Sequence, residues 1–182
     1  MRPLAGVAAL VALALLSACA SRSDLTLQPA DLSGIDVGRG PAPAYRNAVS
    51  LAPVSVGRDT GSPWTVQFGA AQVQQALTET LLAARLGTAQ AGRFRLDATL
   101  LTLERPYAGF AMTVTATVAY RLTDSQTGAV LYNQAIVTIG SASLNDAVTN
   151  ENRLRIADER AVQANLRRLV EDLYSLPEPR AR

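Results

Sequence analysis

The cleanest hydrophobic signal in the chain lies between residues 110 and 123. Phe110, Met112, Val114, Ala116, Val118, Tyr120 and Leu122 alternate with Ala111, Thr113, Thr115, Thr117, Ala119, Arg121 and Thr123. An unbroken period of two predicts a strand with one face on a core and the other, rich in threonine, toward water, as in an antiparallel sheet. The cluster Asp124-Ser125-Gln126-Thr127-Gly128 reads as a turn, and strand-like composition resumes from Ala129 to Ala142, so the two runs are expected to pair as a hairpin. Upstream, Arg93 to Glu104 alternates Phe94, Leu96, Ala98 and Leu100 against Arg95, Asp97 and Thr99, until Leu101 and Leu103 disturb the pattern. A first strand is expected over Ala48 to Val56, where Pro53 cannot donate to a ladder and points to an edge position or an early break.

Two segments carry a helical period instead. Ser62-Pro63 supplies an N-cap and first-turn pair, Gly87 supplies a stop, and Val66, Val73, Leu77, Leu81 and Ala84 recur on one face between them. Trp64 packs most simply where the chain enters this helix. The second helix is expected from Asn150 to Leu176, with Leu154, Ala161, Val162, Leu166, Leu169, Leu173 and Leu176 on its apolar face and Pro177 and Pro179 ending it. Asp158 and Asn165 fall on that apolar side, which predicts polar contacts to the sheet or a polar pocket beneath the helix. The resulting order, strand, helix, three strands, helix, predicts an α+β two-layer sandwich: a four-stranded, largely antiparallel sheet with two helices on one face, over residues 47–178. Residues 179–182 form a short tail.

The N-terminus changes the picture from fold to compartment. Arg2 precedes an apolar run of about 13 residues from Leu4 to Leu16, which suits a secretory signal over residues 1–18 and falls short of the roughly 20 needed to span a bilayer as a helix. Leu16-Ser17-Ala18-Cys19 then closes the run with the only cysteine of the chain. This resembles the lipobox of bacterial lipoproteins, with an ordinary secretory cleavage site as the alternative. The resemblance implies lipidation of Cys19, which becomes the mature N-terminus, as the sole covalent group and no further cofactor. Two or three acyl chains at about 0.8 kcal/mol per buried methylene anchor a protein stably. Ala20 in place of an aspartate after the cysteine implies the periplasmic face of the outer membrane. Residues 19–46 contain Pro29, Gly34, Gly38, Gly40, Pro41 and Pro43 without sustained periodicity and read as a flexible tether.

Composition then excludes function classes. The 17 positive side chains are all arginine and face 15 acids, a net charge of +2 that leaves no nucleic-acid footprint. There is no histidine and no lysine, and the one thiol is consumed by lipidation, so serine-histidine, cysteine-histidine and serine-lysine pairs and Schiff-base chemistry are excluded. No metal site is expected. A carboxylate-only hydrolase using Asp97 and Glu104 is the one enzymatic reading left, and it needs the two acids to converge.

The lipobox, the order of elements, and the phrase from Val118 to Asp124 running into Thr127-Gly128-Ala129-Val130-Leu131 together resemble several families of small envelope lipoproteins. These are the lipopolysaccharide-assembly lipoproteins, the YajG-type lipoproteins and the auxiliary lipoproteins of envelope lipid-transport systems. The resemblance implies a non-enzymatic accessory or scaffold in envelope assembly or lipid transport, with an envelope protein complex as partner. Thr113, Thr115, Thr117 and Arg121 are the candidate contacts, because an exposed polar sheet face or a free edge can dock a partner. The alternative is direct binding of a lipid or glycolipid, with Arg93, Arg95 and Arg105 at the mouth of a pocket, since the guanidinium fork matches phosphate.

Overall fold

The structure is a computed structural model, and it describes residues 27–57, 69–105 and 111–179. Five strands and two helices follow in the order β1 (Val49–Leu51), β2 (Ser55–Val56), α1 (Ala70–Ala83), β3 (Phe94–Glu104), β4 (Met112–Asp124), β5 (Val130–Ala142) and α2 (Asn150–Tyr174). The sheet runs β1-β3-β4-β5, with β2 continuing along the same edge of β3. The two helices contribute to one core against one face of it, so the expected α+β sandwich is the observed class.

The sheet is largely antiparallel, as expected, but mixed, because its first edge is parallel. The strand expected over Ala48 to Val56 breaks around Pro53 into β1 and β2, and both lie parallel to β3. A strand that reaches its sheet neighbour through a helix returns in the same direction, which is the habit of a strand-helix-strand unit. Across the break Ala52 N–H donates to Leu96 O (2.9 Å) and Val54 N–H to the side-chain oxygen of Gln74 on α1 (2.6 Å), so the backbone donors around the proline remain satisfied.

β3, β4 and β5 form the expected antiparallel meander. The disturbance at Leu101 is a bulge: Leu100 pairs with Val118 but Thr102 pairs with Thr117. One extra residue shifts the phase of the strand. Leu96, Ala98 and Leu100 point inward before it, and Leu103, paired with Ala116, packs inward after it. At the other end of β4 the turn is held by Asp124, whose Oδ1 accepts the Gln126 N–H (2.9 Å) and whose carbonyl accepts that of Gly128 (2.8 Å), with Gly128 at φ 71°.

α1 begins at Gly69, whose N–H donates to the Gln72 side chain (2.9 Å); the expected start at Ser62-Pro63, together with Trp64, lies outside the described residues. The helix stops before Gly87 because Arg85 takes the left-handed conformation (φ 54°), so that Leu86 and Gly87 both donate back to Leu81 O. α2 is capped by Thr149, whose hydroxyl accepts the Asn152 N–H (3.3 Å), and ends at Tyr174, two residues before the expected Leu176. Of its predicted stripe Ala161, Val162, Leu166, Leu169 and Leu173 are buried and Leu154 and Leu176 partly so, and Asp158 and Asn165 are buried with them. No helix among the described residues is long and apolar enough to cross a membrane.

One expected boundary moves. Residues 27–46 were expected within the tether, yet they pack onto the domain, with Leu27 and Tyr45 each only 2% exposed. Ala30 N–H donates to the Thr80 hydroxyl on α1 (2.9 Å), Arg167 on α2 donates to Asp31 O (2.7 Å), and the Tyr45 hydroxyl donates to Pro177 O (3.1 Å). A few apolar side chains and well-placed carbonyls fix this segment without any repeating pattern. The first described residue, Leu27, is thus already packed into the core on the helix side of the sheet.

Candidate partner-binding face

The face of the sheet turned away from the helices is where Thr113, Thr115, Thr117 and Arg121 come together. All four sit on β4 at alternate positions opposite its buried residues, Thr113 and Arg121 exposed and Thr115 and Thr117 half-buried between neighbouring strands. The register of β5 sets Ser141 beside Thr113, Ile139 beside Thr115, Val137 beside Thr117 and Asn133 beside Arg121. On the other flank β3 brings Asp97 beside Arg121 and Thr102 beside Thr117. Thr113 Oγ1 and Ser141 Oγ share a hydrogen bond (3.2 Å), as do Ser55 Oγ and Thr99 Oγ1 (2.8 Å), while Arg95 pairs with Asp97 (3.0 Å). Hydroxyl ladders and exposed pairs of this sort order the surface and contribute little to stability.

Two apolar residues on this face were not singled out by sequence reasoning. Val137 is 61% exposed and Ile139 63%, side by side on β5 beside the threonines. The signal was present but ambiguous: the run from Ala129 to Ala142 carries apolar residues in both phases, so no period assigns its outer side. β5 is also an edge strand, and α2 covers part of its free side. Asn165 Nδ2 donates to Ile136 O (2.8 Å), Thr138 Oγ1 donates to Ala161 O (2.8 Å), and Arg160 donates to Ser141 O (2.7 Å). Side-chain cover of this kind protects an edge against unwanted pairing.

The other candidate residues do not assemble. Arg93 pairs with Asp124 (2.8 Å) and lies over the Phe94 ring at 5.0 Å, Arg95 sits on the open face with Asp97, and Arg105 is held under α2 by Asp158 (2.9 Å). Each has a carboxylate partner and each points to a different part of the molecule, so the expected arginine mouth of a lipid pocket is not formed by these three. Asp97 and Glu104 are seven positions apart on one strand, about 23 Å at the strand rise, whereas paired catalytic carboxylates stand within roughly 10 Å. Among the described residues no three acidic, histidine or cysteine side chains cluster as a metal site. Leu16, Ser17, Ala18 and Cys19 lie outside the described residues.

Electrostatics reinforce the division between a fixed frame and an open face. The Arg93 guanidinium, with the backbone donors of the turn, holds the Asp124 carboxyl below the usual carboxylate range. Arg160 and Ser143 do the same for Asp146. Burial pushes Asp158 upward, partly offset by Arg105, and desolvation raises the Tyr120 hydroxyl, which donates to Asn165 Oδ1 (2.9 Å). These groups frame the core and the turns. Thr113, Thr115 and Thr117 carry no charge, and Arg121 is free of any ion pair among the described residues.

An open mixed sheet with two helices on one face, a parallel first strand and an antiparallel meander defines the class of α+β fold to which this chain conforms. Solved structures share it at low sequence identity. A protein of family DUF330 from Xanthomonas campestris is 17% identical, with 72% of this chain and 87% of that one covered at a TM-score of 0.54. PelC from Paraburkholderia phytofirmans, crystallised as a dodecamer, is 17% identical over 75% of this chain and 95% of its own at 0.51. A presumed lipoprotein of Caulobacter crescentus is 13% identical, covering 72% and 92% at 0.50. At these identities the likeness establishes the fold. No protein-family model and no curated protein matches the sequence.

Proposed function

We propose that this chain is a lipid-anchored envelope lipoprotein with a non-enzymatic role, an accessory or scaffold in envelope assembly or lipid transport that docks a protein partner on the open sheet face. The observation that carries the reading is the exposure of Val137 and Ile139 beside an uncharged threonine ladder, on the side of the sheet opposite the helices. Apolar side chains within a polar, hydrogen-bonding surround resemble the centre and rim of a protein interface. The lipobox at Leu16 to Cys19 supports the anchor, and Ala20 supports the periplasmic face of the outer membrane. A fold shared with a presumed lipoprotein agrees with this placement.

Seven residues lie between Cys19 and Leu27, a span of at most about 28 Å when fully extended. An acylated Cys19 therefore keeps Leu27, on the helix side, within that distance of the bilayer, and leaves the open face free to meet a partner in the periplasmic space. Labelling cells with palmitate tests the anchor: incorporation that disappears in Cys19→Ser supports it, and equal labelling of the variant, or none in either chain, overturns it. A photo-reactive residue at Thr115 tests the face. A discrete cross-linked envelope protein, lost when the probe is moved to the helix side, is the expected result.

A further inference from the structure

A cleft of about 520 Å³ lies between residues 36–43 and Tyr174 at the end of α2, within the usual range for small-ligand sites. Its charged lining is Arg39, Arg46 and Asp36. The guanidinium of Arg46 is fixed by two neutral acceptors, Nε donating to Pro41 O (3.1 Å) and Nη2 to Arg39 O (2.8 Å). Its charge is thus held in place without being neutralised, and Nη1 remains for a ligand. Asp36 turns its Oδ1 to the Arg39 backbone N–H (2.9 Å) rather than to either guanidinium. The Tyr174 hydroxyl on the facing wall is taken up by Ala84 O (2.7 Å), to which it donates.

The contrast with the rest of the molecule is what singles this place out. Arg93, Arg95, Arg105, Arg155, Arg160, Arg167 and Arg168 are each matched to a carboxylate; Arg39, Arg46, Arg85 and Arg121 are in no ion pair among the described residues, and of these Arg39 and Arg46 line one cleft together. Two cations against one acid in the lining leave a local positive excess at a concave site. A pre-oriented guanidinium fork favours tetrahedral oxyanions over a point-like anion. Pro41 and Pro43 add a rigid apolar wall beside it.

We propose that this cleft binds a phosphate group through Arg39 and Arg46, the source being either a phospholipid headgroup or free phosphate. The headgroup arm rests on the lipid-anchored reading, because an anchor at Cys19 keeps the domain within reach of the bilayer surface. The phosphate chemistry itself stands on the cleft alone.

Calorimetric titration of the full chain, purified in a neutral phosphate-free detergent, with inorganic phosphate and separately with dihexanoyl phosphatidylglycerol, tests it. Saturable binding of at least one probe is expected, weakened about tenfold or more by Arg39→Glu and unchanged by Arg95→Gln on the open face. Arg39 is the informative position because its side chain is exposed and makes no hydrogen bond or ion pair among the described residues, whereas Arg46→Gln releases two carbonyls of the turn. Tighter binding of the phosphatidylglycerol identifies a headgroup site, and equal binding of both probes identifies a site for phosphate alone. No saturation by either probe up to about 10 mM, or binding that Arg39→Glu leaves intact, overturns the proposal. Palmitate labelling decides the anchor separately, so loss of one reading is told apart from loss of the other.

Discussion

Asn165 shows how much one buried polar side chain can fix. Its Oδ1 accepts from Tyr120 on β4 while its Nδ2 donates to Ile136 O (2.8 Å) and Thr138 Oγ1 (3.1 Å) on β5, so one amide from α2 bridges two strands. Removing it orphans a buried hydroxyl and a buried carbonyl, each carrying a desolvation penalty of about 1–3 kcal/mol. Asn165→Ala should therefore destabilise by roughly 3 kcal/mol and Tyr120→Phe by about 1, with a non-additive double mutant in urea denaturation. Acid behaviour belongs to this scale too. The carboxyls of Asp124 and Asp146 sit below their usual range when folded, so the unfolded chain binds protons more readily and stability falls as pH drops through about 4. Asp158 acts in the opposite direction, since a carboxyl raised by burial loses stability as pH climbs through its folded pKa. Melting temperature measured between pH 6 and pH 3, a range set by these ordinary carboxylate values, should fall less steeply for Asp124→Asn than for the native chain.

At the scale of elements, the packing of α2 on β5 turns on Gly140. A Cβ there would fall inside van der Waals contact with Ala157 O and Ala161 N, backbone atoms that cannot swing away. Gly140→Ala should destabilise by more than about 3 kcal/mol, or prevent folding, whereas Gly128→Ala, with φ 71° but open space around it, should cost only about 1. Chemical denaturation of the pair separates steric exclusion from backbone preference. The sequence showed the stripe of α2 and the hairpin of β4 and β5 because both rest on local periodicity. It hid the direction of β1, which depends on a route through α1 that only the assembled sheet reveals. The bulge at Leu101 was visible as a disturbance, but its meaning, one extra residue rather than the end of the strand, lay in the register with β4. The docking of residues 27–46 was illegible for another reason: Leu27, Ala30 and Tyr45 are buried in the one core yet share no period. The candidate face was half legible. Alternation in β4 gave Thr113, Thr115, Thr117 and Arg121, while Val137 and Ile139 were hidden in a strand apolar in both phases, and the Arg39–Arg46 cleft arises from a turn with no periodic signature.

At the scale of the molecule, the two faces of the sheet carry different duties. The helix side holds the core and carries the arginine cleft. Among the described residues the other side has no helix and presents Val137 and Ile139 at the edge of a threonine ladder. Exposed apolar residues that support no packing can be replaced at little expense to the fold, so stability and docking should come apart there. Val137→Asp with Ile139→Asp should shift unfolding by no more than about 1 kcal/mol, because both sites are solvated and their inward neighbours on β5 remain in place. The same pair of charges, left facing an apolar partner surface, would each have to be desolvated on docking, which removes a complex of ordinary affinity. The double variant should therefore fold, carry palmitate on Cys19 and lose its cross-linked partner. A variant that keeps the partner at native yield would show that the open face is a solvated surface, and that docking lies on the helix side or along the edge of β5.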